Sequence, residues 1–351
     1  MAPTKRMLWW GRFDPAYARN GVIRQHLAVL GWTIFDFHPR FCIGGDLEAT
    51  LRRLPRPDAV WVPCFRQRDL AAARRWCDRQ GVPLIFYPLI SAYDKQVWER
   101  FKLQEESPAA KRLLAWEQKL FAQADLLLAD TRCHADFFCD TLGVSRERVR
   151  VVYVGAEESC FYPAAERAPH VPIEVLFYGS FIPLHGVQTL VEAARIYQGV
   201  PVRWHLLGHG PEREACRQAA AEMPQLVFED PIPYASLPSR IQRADILLGV
   251  FGTTRKASRV IPNKVFQSLA AGRPVITRMS EAYPEAVQES EACALIPAGD
   301  ANALATMVAA WASQPARLAE RGRQAHALYQ QVFSSAVVAD QLRTALASGV
   351  V

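Results

Sequence analysis

The stretch 253–276 concentrates residues with chemical uses. Arg255, Lys256, Arg259 and Lys264 crowd one helix start, where free backbone N–H groups and the positive end of the helix dipole already favour an anion. Pro262 suits the first helical position and Gly272 the stop. Helical spacing groups Asn263, Phe266 and Gln267, places Lys264 on a neighbouring turn position, and turns Phe266, Leu269 and Ala270 toward a core. The amides of Asn263 and Gln267 can hydrogen-bond a pair of hydroxyls, such as those of a ribose. A solvated basic loop on an amphipathic helix is the plainer reading. Solvation alone gives no reason for a basic loop, a capped helix and an apolar strand in succession.

Four further loops carry candidates. Between the first apolar run and the first helix, Gly11 permits close backbone approach, and Arg12 and Arg19 can meet phosphate or carboxylate; Asn20 follows. After the fourth run, Asp94 stands beside Lys95, Trp98 and Arg100. Its favoured role is a helix N-cap; accepting a proton from an acceptor hydroxyl, or binding that hydroxyl, is the other, and the two are compatible. Gly179, Ser180, His185 and Gly186 lead from a strand into a helix start. His185 is there either for structure or to face an anion at that helix end. Gly208-His209-Gly210-Pro211 lets a flat ligand lie against backbone.

The elements that must hold these loops alternate along the chain. Short, mainly apolar runs occur at 6–10, 33–37, 59–63, 83–87, 125–129 and 150–154, then at 173–178, 202–207, 226–228, 245–250, 274–277 and 292–296. Segments of helical period lie between them. Strands without a polar face, alternating with helices, make parallel sheets covered on both sides. Twelve strands exceed a comfortable single open sheet, so the expected α/β fold is two doubly wound, Rossmann-like domains facing across a cleft, with ligand loops at the carboxyl ends of the strands. Cys160–Pro172 is the expected boundary: it holds Pro163, Pro169 and Pro172 and no periodicity. The domains are then 1–165 and 166–330, with residues 331–351 a C-terminal helix returning to the first domain.

Composition narrows the classes. Of 351 residues, half are apolar and 22% charged, with a net charge of +6, the surplus lying mostly before residue 170. That is too mild for a nucleic-acid partner and compatible with an anionic small molecule or contact at a membrane surface. No apolar run reaches the ~20 residues of a membrane-spanning helix, and the start, with Lys5 and Arg6 before a short apolar stretch, is no secretory signal. A cytoplasmic location follows, with peripheral contact at the inner face of a membrane compatible. The eight cysteines show no Cys-x-x-Cys pair and no ligand spacing, so free thiols are expected and no metal site.

On these loops the chain resembles the GT-B glycosyltransferases of the family 4 type. The resemblance covers most of the sequence and is strongest over 173–297, in Val175-Leu-Phe-Tyr-Gly-Ser-Phe-Ile-Pro-Leu-His-Gly-Val, His205-Leu-Leu-Gly-His-Gly-Pro-Glu, Ala244-Asp-Ile-Leu-Leu-Gly-Val and Pro262-Asn-Lys-Val-Phe-Gln-Ser-Leu-Ala-Ala-Gly-Arg-Pro-Val-Ile-Thr. In the first half, Ala18-Arg-Asn-Gly resembles a subgroup with Pro-Arg-Asn in its opening loop, and Val152-Tyr-Val-Gly-Ala-Glu with Phe161-Tyr-Pro resembles the segment leading into the linker. The resemblance implies retaining transfer of a sugar from a nucleotide-sugar donor, usually without a bound metal or other cofactor. The donor is expected on the second domain and a small-molecule, glycan or lipid-linked acceptor on the first. Carried over by position, the catalytic candidates are His185, Arg259 and Lys264. The donor-binding candidates are Gly11, Arg12, Gly179, Ser180, Gly208, Gly210, Asn263 and Gln267, and Arg19, Asn20 and Asp94 lie on the acceptor side. Ser180 and His185 stand where the family often has Arg and Lys, and Arg259 and Gln267 where it often has two glutamates eight positions apart. Lys264 and Arg259 then form the cationic clamp on the pyrophosphate. An epimerase of the same fold and a non-catalytic nucleotide-sugar sensor are the competing readings; the replaced glutamates favour the sensor.

Overall fold

A computed structural model describes residues 5–14, 17–165, 168 and 170–348. Pro15 and Ala16 of the opening loop, Pro169 of the expected linker and both chain ends lie outside these residues.

The first sheet contains β1 (Lys5–Trp10), β2 (Trp32–Phe37), β3 (Ala59–Val62), β4 (Leu84–Phe86), β5 (Leu126–Ala129) and β6 (Val149–Val151), in the order β2-β1-β3-β4-β5-β6. Every pairing is parallel, with Met7 against Ala59 and Trp9 against Trp61. The side-chain period of two explains the lack of a polar face. Leu8, Trp10, Val60 and Val62 enter one core with α3 (Leu70–Gln80), α4 (Pro108–Phe121) and α5 (Arg132–Asp140). Met7, Trp9, Ala59 and Trp61 enter a second core with α1 (Ala18–Val29) on the other face.

The second sheet contains β7 (Ile173–Tyr178), β8 (Val202–Leu207), β9 (Leu226–Glu229), β10 (Ile246–Leu248), β11 (Val275–Arg278) and β12 (Cys293–Ile296). Its order, β12-β11-β10-β7-β8-β9, is the dinucleotide-binding arrangement with its reversal between β7 and β10. Its helices include α6 (Val187–Ile196), α7 (Arg213–Ala219), α8 (Leu237–Gln242), α9 (Asn263–Ala270), α10 (Glu285–Gln288) and α11 (Ala301–Ala312). The strands match the apolar runs to within a few residues. Two short helices escaped the periodic reading: α10 and α2 (Gly45–Leu51), the latter with two exposed leucines.

Contacts divide the chain into two units, and the division differs from the expected one. It falls between Val154 and Gly155, not at 165/166, and the chain from Ser335 onward joins the first unit. The segment read as a linker is already packed in the second unit. Ala156 N–H donates to the Tyr329 hydroxyl (3.1 Å), the Phe161 ring meets that of Tyr234, and Gln242 donates to Tyr162 O. The C-terminal helix expected over 331–351 starts only at Ser335, after a break at Phe333-Ser334. Helix α12 (Pro315–Val332) packs along α9, whereas α13 (Ser335–Ala347) places Val338, Leu342, Ala345 and Leu346 in the core that holds Trp9 and Trp61. All eight cysteines are free.

The placement of α13 predicts a contrast between two leucines. Leu342 is fully buried, so Leu342→Ala removes transfer energy and leaves a cavity, at a cost of about 2–5 kcal/mol. Leu51 is 84% exposed, so Leu51→Ala stays within about 0.5 kcal/mol of wild type. Denaturant unfolding followed by tryptophan fluorescence checks both. Equal midpoints for the two variants would remove α13 from that core.

Candidate functional site

The strongest convergence of sequence candidates is at the carboxyl edge of the second sheet, where its strand order reverses. Gly179 ends β7 at φ +146°, and Gly208 ends β8 at φ +140°. A Cβ on Gly208 would collide with the carbonyl oxygen of Gly179, so the two loops touch backbone to backbone and neither tolerates a side chain there. The neighbouring turns are as close: a Cβ on Gly210 would lie 2.5 Å from Phe181 N, and one on Gly186 2.5 Å from Gly252 N.

Two further side chains close in over Gly179. A Cβ there would lie 3.0 Å from Lys264 Nζ and 3.1 Å from His185 Cε1, so three candidates separated by up to 85 positions in the sequence meet at one point. Lys264 is buried, its ammonium 3.8 Å from the centroid of the Phe177 ring and without a hydrogen-bond partner. Burial holds its pKa well below the usual lysine range. The His185 Nδ1–H donates to Ser180 O, which leaves Nε2 as the acceptor nitrogen of the neutral ring. Burial first, and then the Lys264 charge, hold His185 well below 6.5. The same loop ends at Gly186, the N-cap of α6, and Lys264 is the second residue of α9. Two helix starts and two ionisable side chains held toward neutrality therefore meet at the Gly179 loop, a set of groups able to bind an anion.

The other donor-side candidates are placed differently. Pro262 is the N-cap of α9 rather than its first residue, because its extended ψ of 146° lies outside the helix; Asn263 comes first and is exposed. Gln267 is buried and already engaged: its Oε1 accepts from the Tyr178 hydroxyl (2.9 Å) and its Nε2 donates to Tyr234 (3.4 Å). Ser180 is exposed and offers its carbonyl to His185. Arg259 is half-buried at the end of the turn Lys256–Ser258, to which its N–H donates through Lys256 O. Gly11 and the exposed Arg12 belong to the first unit, in the loop after β1, where the Gly11 N–H donates to Phe37 O (2.9 Å).

The acceptor-side candidates are buried in the first unit. Arg19 is 1% exposed, lies 4.2 Å from the centroid of the Tyr87 ring and donates to Val152 O (3.2 Å); burial lowers its pKa to about 10. Asn20 donates to Asp14 O and accepts from the Cys64 thiol. Asp94 is no N-cap. It lies inside a helical turn that has already begun, and its N–H donates to Ser91 Oγ (3.1 Å).

Some polar groups were not singled out in the sequence. Asp130, at the end of β5, accepts from the buried His134 ring, and Glu117 accepts from the Ser91 hydroxyl and from the N–H groups of Ala92 and Tyr93. Asp130 and His134 had a legible signal, since Thr131 caps α5 by accepting the His134 N–H three residues on, which brings Asp130 within one turn of that ring. Tyr178 and Tyr234 had none, since their pairing with Gln267 is tertiary. Among the described residues no group of three His, Cys, Asp or Glu side chains is arranged to hold a metal.

Comparison with known proteins bears on the family and the fold. Residues 9–155 match the family described as a glycosyl transferase 4-like domain, and residues 172–314 the one described as glycosyl transferases group 1. The putative colanic acid biosynthesis glycosyltransferase WcaL of Escherichia coli is 28% identical over 233 residues, which is 62% of this chain and 56% of that protein. The amylovoran biosynthesis glycosyltransferase AmsK of Erwinia amylovora is 27% identical over 199 residues, 54% of this chain and 48% of its own. The chain thus spans about half the length of these curated relatives. Anabaena HepE, solved with UDP and glucose, superposes with a TM-score of 0.72 at 14% identity, covering 98% of this chain and all of that one. Sucrose-phosphate synthase from Thermosynechococcus elongatus gives 0.74 at 18% identity, covering 97% and 98%. At such identities the structures speak for the fold; with the two family matches, which together take in most of the sequence, they place this chain among the GT-B glycosyltransferases of the family 4 type.

Proposed function

We propose that the protein transfers a sugar from a nucleoside-diphosphate sugar to an acceptor hydroxyl, and that the Gly179 loop, with Lys264 and His185 against it, receives the diphosphate. The observation that carries this reading is the Lys264 ammonium, buried without a hydrogen-bond partner against the side-chain-free Gly179 loop. A phosphate oxygen there supplies the missing acceptor, and the helix starts of α6 and α9 add N–H donors. As the sugar bond breaks, negative charge grows on the leaving diphosphate. Lys264 and His185, fixed in advance, stabilise that charge without reorganisation. These cations fill the role that a divalent ion fills in other transferases, so the reading includes transfer without a resident metal. HepE was solved with UDP and, separately, with UDP-glucose, which favours a uridine donor here. Retention of configuration fits a leaving phosphate that itself takes the acceptor's proton. The acceptor belongs to the first unit in this reading, and its class, whether small molecule, glycan or lipid-linked, is open to assay. Arg259 remains the second proposed member of the clamp.

The direct test is calorimetric titration of UDP, ADP and GDP, followed by product analysis with UDP-sugars. Lys264→Ala is expected to weaken UDP by about 1.5–3 kcal/mol, the loss of one charged hydrogen bond. Unchanged affinity would take Lys264 out of the site. Sugar transfer to an acceptor or to water distinguishes a transferase from an epimerase, which returns an isomeric nucleotide sugar, and from a sensor, which only binds. Transfer is expected to persist in EDTA; its loss and restoration by a divalent ion would overturn the metal-independent part.

A pH dependence follows from the two suppressed cations. Free, both groups are held toward neutrality; bound diphosphate favours their charged forms. Binding therefore takes up protons, and affinity falls as pH rises from each group's lowered free-state pKa toward its higher bound-state value. Titration in two buffers of different ionisation enthalpy measures the uptake. Equal uptake by wild type and His185→Gln would assign it to Lys264, and no uptake in either would refute the suppressed-charge reading.

A further inference from the structure

The first unit exposes apolar side chains where the fold has no use for them. Phe41 is 77% exposed, Ile43 85%, Leu47 64% and Leu51 84%, all within eleven residues. Leu47 and Leu51 lie one turn apart on α2, and with Phe41 they line a single shallow groove with the stems of Arg40 and Arg52. The opposite face of α2 is the packed one: Gly45 and Ala49 are buried, and Asp46 is held beneath Arg75 and Arg79. Ordinary surfaces scatter such side chains singly; a contiguous group marks an interaction surface.

The rim of this group is basic. Arg40, Arg52, Arg53 and Arg56 are all exposed. The acidic residues between Arg40 and Arg56 are Asp46, already neutralised by two arginines, and Glu48, which is paired with Arg52. A positive ring around protruding aromatic and aliphatic side chains is what an interfacial membrane-binding surface requires: the apolar tips enter the headgroup boundary and the arginines meet lipid phosphates. A second copy of the chain is a poorer occupant, since a two-fold contact sets one arginine rim against another.

We infer that the Phe41–Leu51 segment docks on an anionic lipid bilayer, with Phe41, Ile43, Leu47 and Leu51 inserted and Arg40, Arg52, Arg53 and Arg56 on the headgroups. This rests on the first unit alone and holds whether or not the diphosphate reading does. The segment leaves β2, the outermost strand of its sheet, at that strand's carboxyl end. The bilayer would therefore lie on the side of the unit where an acceptor is expected.

Co-sedimentation of the full chain with phosphatidylcholine vesicles and with mixed phosphatidylcholine–phosphatidylglycerol vesicles tests it. The expected result is binding to the anionic vesicles that weakens as salt rises, and little binding to the zwitterionic ones. Leu47→Asp/Leu51→Asp and, separately, Arg52→Glu/Arg53→Glu are each expected to reduce that binding roughly tenfold or more. All four residues are exposed, and an unchanged thermal midpoint shows that each variant is folded. Wild type that ignores both vesicle types overturns the inference, as does equal binding by wild type and variants. A concentration-dependent dimer abolished by the leucine variant, with vesicle binding unchanged, overturns it in favour of a second copy.

Discussion

The Lys264 ammonium, buried against the Phe177 ring with no hydrogen-bond acceptor, is the constraint around which the second unit is arranged. Removing an ammonium from water is expensive unless it is paired, and the first remedy is to suppress the charge, as its lowered pKa shows. What surrounds it follows. Gly179 has no side chain to collide with the ammonium, Gly208 brings the next loop against it, and His185 is fixed by Ser180 O so that its ring packs at the same point. In the proposed reading a bound anion restores that charge, and binding and proton uptake become one event.

The supports of this point lie deeper in the unit. Phe177 and Tyr178 are adjacent on β7 and therefore point to opposite faces of the sheet. Phe177 lies beneath the ammonium, while the Tyr178 hydroxyl engages Gln267 one turn further along α9. The helix carrying Lys264 is held from outside by α12 and by the edge-to-face contact of Phe266 with Phe333, the residue that follows α12. Gln267 and Tyr178 tie that helix to the strand with neutral groups, so the replaced glutamate leaves a satisfied hydrogen-bond pair in the interior.

The first unit uses polar residues differently. Its opening-loop candidates serve the interior: Arg19 spans Tyr87 and Val152 O, and Asn20 bridges Asp14 and Cys64. The Asp130–His134 and Glu117–Ser91 groups are also enclosed. What this unit offers to its surroundings is instead the Phe41–Leu51 surface. An apolar periodicity search passes over it, because α2 has only two turns and its outward face is as apolar as its inward one.

The sequence alone determined the two parallel sheets, since strands buried on both faces must be apolar throughout and each is bounded by glycine, proline or a helical period. It also located the glycine loops and the basic helix start, whose residue types are interpretable wherever they fall. The partners were beyond it. That Lys264 meets Gly179 and His185, that Gln267 is taken by two tyrosines, and that Asp94 lies inside a turn depend on contacts between residues far apart in the chain or on local helix register. The division of the chain followed the same logic. Prolines mark where regular structure stops, but membership of a unit is set by burial, and the Ala156–Tyr329 and Phe161–Tyr234 contacts assign the supposed linker to the second. The break at Phe333-Ser334 then sends α13 into the first core, a choice made by the apolar space left beside Trp9 and Trp61 rather than by any signal in the tail itself.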